Sequence, residues 1–295
     1  MSWLGLLLVD KPEGPTSHDI VAVVRRATGE RRIGHTGTLD PLATGLLPLA
    51  IGPVTRLIQF LPHSPKTYVG TLLLGQTSDT DDISGQTTTR HEGTLPGTDA
   101  IAESAAALTG SLSQRPPDFS ARKVGGQRLY RLARRGVEVE APERSVQVDR
   151  FQLDATDDPA RFRFEAVVSA GTYIRSLVRD LGADLGCGAV MESLRRTAIG
   201  PLKIADALSW EGVPDPAALR DGLVAPSDLP LELPRTGLAD AEDCRRFRLG
   251  QPIHSSIAGS TEGQTAVLDP SGRLLGVAEW QGPVLKPRLV LPEAP

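Results

Sequence analysis

The sequence of 295 residues predicts an α+β fold with a small β-rich domain at its C-terminal end. Three observations carry that prediction. Strand-like and helix-like periodicities follow one another without the regular βαβ rhythm of a doubly wound sheet. Five prolines between Val213 and Pro234 interrupt all periodicity, as a linker does. Beyond them, "TAVLDPSGRLLGVAEW" alternates apolar residues around Asp269, Pro270, Ser271 and Gly272, which reads as a hairpin. The expected organisation is a main domain over 1–212, a linker over 213–236 and a small domain over 237–295.

Along the chain, Leu6 to Val9 is an apolar run closed by Pro12 and Gly14, and reads as a buried strand. "TSHDIVAVVRRATG" reads as a helix. Thr16 can cap it, Asp19 follows three residues on, Ile20, Val23, Val24 and Ala27 share a face, and Gly29 is the stop. "KTYVGTLLLG" (Lys66 to Gly75) reads as a strand, and the Ala-rich "TDAIAESAAALTG" as a short helix ending at Gly110. In "RFRFEAVVSAGTYIRSLVRDLGADLG", Phe162, Phe164, Ala166 and Val168 alternate. After Gly171 the spacing of Ile174, Leu177, Val178, Leu181 and Leu185 turns helical, which puts Tyr173 and Arg175 in the first turn, at the end of a sheet.

Composition narrows the classes. Hydrophobic residues make up 40% of the chain, which suits a globular fold rather than disorder. No apolar run approaches the roughly 18–20 residues of a membrane span, and the N-terminal patch is too short for a signal peptide; a cytoplasmic protein is expected. Cys187 and Cys244 lie far apart without metal-type spacing and are read as buried thiols. The five scattered histidines form no ligand pair, and "DTDDISG" lacks the Gly and Glu an EF-hand loop needs at Ser84 and Arg90. No metal and no cofactor is expected. The net charge of −4 hides an asymmetry. "FSARKVGGQRLYRLARRGV" (Phe119 to Val137) carries Arg122, Lys123, Arg128, Arg131, Arg134 and Arg135 and no acid. Such a stripe is either a polyanion-binding element or a solvated helix face.

The stretch "GHTGTLDPLATGLLPL" (Gly34 to Leu49) places one carboxylate, Asp40, between turn formers and an apolar run. An Asp before Pro41 commonly makes an Asx-turn or a helix cap. The other reading is a carboxylate held against an apolar wall, which needs a basic partner to stay ionised. Local chemistry alone favours the cap and leaves the second reading open.

The segment "GHTGTLDPLATGLLPLAIGPVTRL" resembles the signature of the TruB-type pseudouridine synthases, which isomerise the T-loop uridine of transfer RNA. The resemblance continues, in order, through "DKPEGPTSHD", "KTYVGTLLLGQTSDTDDISG", "FSARKVGGQRLYRLARRGV", "SAGTYIRSLVRDLG" and "LRRTAIG", and so covers Gly5 to about Trp210. It implies a pseudouridine-synthase fold: a central mixed, largely antiparallel sheet with an RNA-binding cleft. The C-terminal domain resembles a PUA-type RNA-binding module more weakly.

By the same resemblance, Asp40 matches the catalytic aspartate, Tyr68 the active-site tyrosine that stacks on the target base, and Arg175 the arginine paired with the carboxylate. His35 matches the histidine associated with flipping the target nucleotide. Lys11, Lys123 and Tyr173 match residues lining the RNA cleft, and Leu194 matches an apolar residue packed on the active site; for Tyr173 and Leu194 plain packing is the alternative. The basic stretch becomes an inserted thumb over about 117–144 that closes on the T stem-loop. Phe119 stands where the family often has Tyr, so a hydroxyl is missing there. The implied partner is transfer RNA, bound by a monomer without a guide RNA. The rival readings are a transfer-RNA folding protein and a guide-RNA-dependent relative.

Overall fold

A computed structural model describes residues 3–119, 123–124, 127–128, 142–210, 215–254 and 262–293. The chain divides into two compact units, both discontinuous in sequence: Met1–Pro41, Leu46–Pro62 and Ile204–Pro295 form the first, Leu42–Gly45 and His63–Lys203 the second.

The first unit opens with β1 (Gly5–Lys11), whose unbroken apolar run suits a strand covered on both faces. α1 (Ser17–Thr28) follows and begins in a capping box: the Asp19 backbone N–H donates to the Thr16 hydroxyl, and the Thr16 N–H donates back to the Asp19 carboxylate. Ile20, Val21 and Val24 are its buried stripe, and Gly29 ends it in the left-handed region at φ 69°. β2 (Ile33–His35) runs antiparallel to β3 (Thr44–Ile51), with His35 opposite Leu49.

The second unit is built on β4 (Lys66–Leu74), the hairpin β5 (Gln76–Ser78) and β6 (Thr87–Arg90), α2 (Thr98–Ala107), β7 (Gly110–Gln114), the short pair β8 (Lys123–Val124) and β9 (Gln127–Arg128), β10 (Arg144–Ala155), β11 (Arg161–Val168), α3 (Ile174–Asp184), β12 (Ala189–Ile199) and β13 (Leu202–Lys203). The strands lie in the order β12, β4, β11, β10, β7, all antiparallel. Phe162, Phe164, Ala166 and Val168 are the buried face of β11, as their alternation predicts. One pairing is parallel: Thr44 and Gly45, the first residues of β3, lie beside Arg195 and Arg196 of β12. Gly45 has φ 99°, and a Cβ there would stand 2.3 Å from the Arg196 carbonyl oxygen, so only glycine lets the strands approach this closely.

Returning to the first unit, the segment expected as a linker is packed rather than free. Asp215 caps α4 (Pro216–Asp221), Leu219 and Leu229 are wholly buried, and the Arg220 guanidinium lies 4.2 Å over the Trp3 ring. β14 (Leu223–Val224) pairs antiparallel with β1, Leu6 against Val224. Its prolines fix φ along a strap instead of loosening it. β15 (Arg235–Gly237), α5 (Ala241–Arg248), β16 (Ile253–His254), β17 (Gly263–Leu268), β18 (Leu274–Gln281) and β19 (Val284–Val290) complete the chain. The five strands form one sheet, β15-β17-β18-β19-β16. Phe247 of α5 sits in its core with Val267, Ala278 and Trp280. The expected hairpin is β17–β18, and its turn is tied by the Asp269 carboxylate, which accepts from the Ser271 N–H at 2.9 Å and the Arg273 N–H at 3.0 Å.

Candidate active site

In the first unit the loop after β2 carries Asp40, and both neighbours of Asp40 are anchored. On one side the Leu39 N–H donates to the Ser17 hydroxyl at 2.8 Å, and that hydroxyl donates to the Leu39 carbonyl at 3.2 Å. On the other, the Pro41 carbonyl accepts from the Gly14 N–H at 2.9 Å and from the Lys11 ammonium at 3.4 Å. Lys11 also donates to the carbonyls of Pro12 at 2.8 Å and Pro15 at 2.7 Å. One ammonium thus gathers both loops. Asp40 itself is half-buried and caps no described helix, since Thr16 caps α1.

Lys11, expected to line the RNA cleft, is wholly buried. Its ammonium is taken up by the three carbonyls of Pro12, Pro15 and Pro41. Burial pushes its pKa down to about 8, opposed chiefly by the negative charge of Asp40. His35 ends β2 half-buried, and the next residue, Thr36, donates its N–H to Pro48 O at 3.2 Å.

The second unit holds Tyr68, Tyr173, Arg175 and Leu194. Tyr68 is buried on β4 and lies opposite Ala166 of β11 and Arg196 of β12. Gly70, two residues on, faces Leu194. A Cβ at Gly70 would stand 2.6 Å from the Phe164 ring, so the glycine of "KTYVG" is a packing requirement. Lys66 and Arg196 were not singled out from sequence, yet Lys66 lies on the strand of Tyr68 and Arg196 is the cross-strand partner of Tyr68. Arg196 is wholly buried, and burial, then the Arg196 charge, pushes the Lys66 pKa down to about 8. The available signal was a lysine two places before a tyrosine on one face of a strand.

Arg175 stands in the first turn of α3, almost wholly buried. It donates to the Thr80 carbonyl at 2.8 Å and to the Phe119 carbonyl at 3.0 Å, and its Nε lies 3.7 Å from the Asp82 carboxylate. Asp82 is buried too, and accepts from the Thr80 hydroxyl at 2.8 Å and the Ser84 N–H at 3.0 Å. Sequence reasoning rejected "DTDDISG" as a calcium loop and did not see that its last Asp faces a buried arginine. Tyr173 is set by its backbone: its N–H donates to the Gln114 side-chain oxygen at 2.9 Å, and its carbonyl accepts from the Gln114 amide at 3.1 Å.

Of the expected thumb, Lys123 and Arg128 are backbone partners across β8 and β9. Arg122, Arg131, Arg134 and Arg135 lie outside the described residues. Among the described residues no group of three His, Cys, Asp or Glu side chains could hold a metal ion. No described helix is long and apolar enough to cross a membrane.

Residues 25–174 match the family model described as TruB family pseudouridylate synthase (N terminal domain). Residues 175–230 match that of the tRNA pseudouridylate synthase B C-terminal domain, and 239–291 that of Pseudouridine synthase II TruB, C-terminal. Over 295 residues the chain is 41% identical to the tRNA pseudouridine synthase B of Acaryochloris marina, covering 98% of this chain and 99% of the relative. It is 43% identical over 285 residues to the same-named protein of Leifsonia xyli, covering 94% and 93%. Among solved structures it resembles a chain in the crystal structure of a Cbf5-Nop10-Gar1 complex, with a TM-score of 0.69 and 24% identity over 97% of this chain and 84% of that one. That last likeness is one of fold.

Proposed function

The chain belongs to the TruB family of pseudouridylate synthases, and from that premise we propose that it isomerises uridine to pseudouridine in the T loop of transfer RNA, at position 55. The observation that carries the reading is the two-sided anchoring of Asp40, at Leu39 and Pro41, in a chain alike from end to end to tRNA pseudouridine synthases B.

The reaction breaks an N–C glycosidic bond and forms a C–C bond between the same two partners. It consumes no oxidant and no energy source. A stacked uridine hides C1′ and C5, so the enzyme extrudes it at a cost of a few kcal/mol, with His35 as the residue that wedges the loop open. Stacking on Tyr68 returns about 1–3 kcal/mol. Asp40 meets the exposed nucleoside, either attacking it or stabilising the detached uracil. Arg175 takes the role of the arginine that the family keeps with its catalytic carboxylate, and Lys11 holds the loop that carries Asp40. Removal of the C5 proton by a positioned base, Tyr68 or Asp40, is worth about 10²–10⁴-fold. Leu194 and Tyr173 wall the pocket so that the uracil turns without escaping.

Domain roles follow the same reading. Residues 1–212 catalyse, with a thumb over about 117–144 whose Arg122, Lys123, Arg128, Arg131, Arg134 and Arg135 contact phosphates; 237–295 is a PUA-like RNA-binding domain. The protein works as a cytoplasmic monomer, without guide RNA.

The test is release of tritium to water from a T-stem-loop RNA labelled at C5 of its uridines. Stoichiometric release by the wild-type protein without added factors is expected, and a loss of about 10³-fold or more in Asp40→Asn. Release by that variant at the wild-type rate would remove Asp40 from its role.

A further inference from the structure

Two arginines one turn apart on α3, Arg175 and Arg179, grip the same two segments of the second unit. Arg175 takes the Thr80 and Phe119 carbonyls. Arg179 takes the Arg115 carbonyl at 3.0 Å and the Asp81 carboxylate at 3.2 Å. Asp81 therefore sits between the two acceptors of Arg175 on this loop, the Thr80 carbonyl before it and the Asp82 carboxylate after it.

The backbone at Asp81 is also unusual. It is the only non-glycine residue with positive φ among the described residues, at 62°. Aspartate tolerates this region better than most residues, but the conformation persists only where surroundings hold it. Here the Asp81 N–H donates to Ser78 O at 3.3 Å, the Asp81 carbonyl accepts from the Met191 N–H at 3.1 Å, and the side chain is held by Arg179. The turn at residue 81 aims the Thr80 carbonyl and the Asp82 carboxylate at one guanidinium.

We propose that the Asp81–Arg179 ion pair is a positioning device for the reaction, fixing the loop that supplies the acceptors of Arg175 and so the placement of Arg175 itself. The proposal rests on the reading that Arg175 serves uridine isomerisation. The groups facing Asp81 are Arg179 and Arg175 from α3, and Asp118 from the segment after β7. Asp118 is itself 3.6 Å from Arg115, and Asp180 shares the Arg179 guanidinium at 2.8 Å. Burial raises the Asp81 pKa to about 6, with Arg179 and then Arg175 opposing it. The pair is therefore intact above about pH 6 and is lost as the carboxyl takes up a proton below it.

Single-turnover tritium release at saturating T-stem-loop RNA, from pH 5.5 to 8.5, tests this with wild type, Asp81→Asn, Arg179→Ala and the double variant. Asn keeps the left-handed backbone accessible and removes only the charge. At pH 8 each single variant should be slower by about tenfold, and the double by about tenfold as well, because the pair acts as one unit. RNA affinity should stay within about twofold, the unfolding temperature of Asp81→Asn should not fall, and Arg179→Lys should recover most of the rate. The wild-type rate should decline below about pH 6, and Asp81→Asn should lack that decline. Single variants at the wild-type rate, or single losses that multiply to about a hundredfold in the double variant, would overturn the proposal. No release by the wild-type protein would instead overturn the proposed function, on which the inference depends.

Discussion

The loop of Asp40 and the clamp around Arg175 hold their central residues by opposite chemistry. In the first a wholly buried cation, Lys11, gives its hydrogen bonds to neutral carbonyls only, with the Asp40 charge nearby. In the second a nearly buried cation, Arg175, is met by two carbonyls and a buried carboxylate, with a second ion pair one turn away. A lysine offers three donors that rotate freely, so it can gather carbonyls that arrive from different directions. An arginine offers a rigid planar fork, which suits acceptors whose positions are fixed by loops of their own. The Asp40 loop is thus shaped by its cation, whereas the Arg175 clamp is shaped by its acceptors.

Substitutions can break this contrast. The largest effect is expected for Lys11→Met, which keeps the apolar stem and removes every donor. It leaves the Pro12 and Pro15 carbonyls without the ammonium that gathers them, a loss of about 1–3 kcal/mol partly offset by no longer burying a charge. Tritium release should fall by about 10²-fold, more than the change in unfolding midpoint accounts for. An activity loss that merely tracks stability would show that the loop holds its shape without Lys11.

Arg175→Lys should be next. A lysine keeps the charge but cannot bridge the Thr80 and Phe119 carbonyls and Asp82 in one plane. A fall of about 30-fold in the single-turnover rate is expected, with RNA affinity unchanged in a filter-binding assay. Equal rates would mean that a point charge suffices there.

The smallest effect is on stability against pH, and it runs in opposite directions for the two regions. Lys11 titrates near 8 when folded and near 10.5 when unfolded, so the folded state holds fewer protons between those values and stability gains from this group as pH rises. Asp81 titrates near 6 when folded and near 3.8 when unfolded, so the folded state holds more protons there and stability from this group falls as pH rises. Unfolding free energies from urea titrations should change by an amount on the order of 1 kcal/mol across each window, with Lys11→Met abolishing the alkaline change and Asp81→Asn the acidic one.

Local signals in the sequence were enough for α1, whose cap, apolar stripe and terminal glycine all lie within fourteen residues from Thr16 to Gly29. The β11–α3 junction and the β17–β18 hairpin were legible for the same reason, since a change of period and a turn are short-range features. The parallel register of Thr44 on Arg195 was not, because nothing in either segment names a partner so far along the chain. Burial of Lys11 was hidden by the usual preference of lysine for solvent. Asp82 and Arg179 escaped notice because an acid-rich loop and a charged helix look solvated until a fold brings them together. The proline-rich strap misled for a related reason: prolines signal the absence of regular periodicity, but not the absence of packing.

The antiparallel partner of β1 has a consequence for synthesis. Leu6 and Leu7 are made first, yet the strand that covers their outer edge, Leu223–Val224, follows more than two hundred residues later in the chain. Until then a seven-residue strand with the apolar run Leu6–Val9 has an open edge, the feature by which nascent chains recruit wrong partners. The segment His63–Lys203 faces no such wait, since it is contiguous and supplies nearly all of its own unit. Its collapse can come first on the ribosome, with the unit that begins the chain among the last to close.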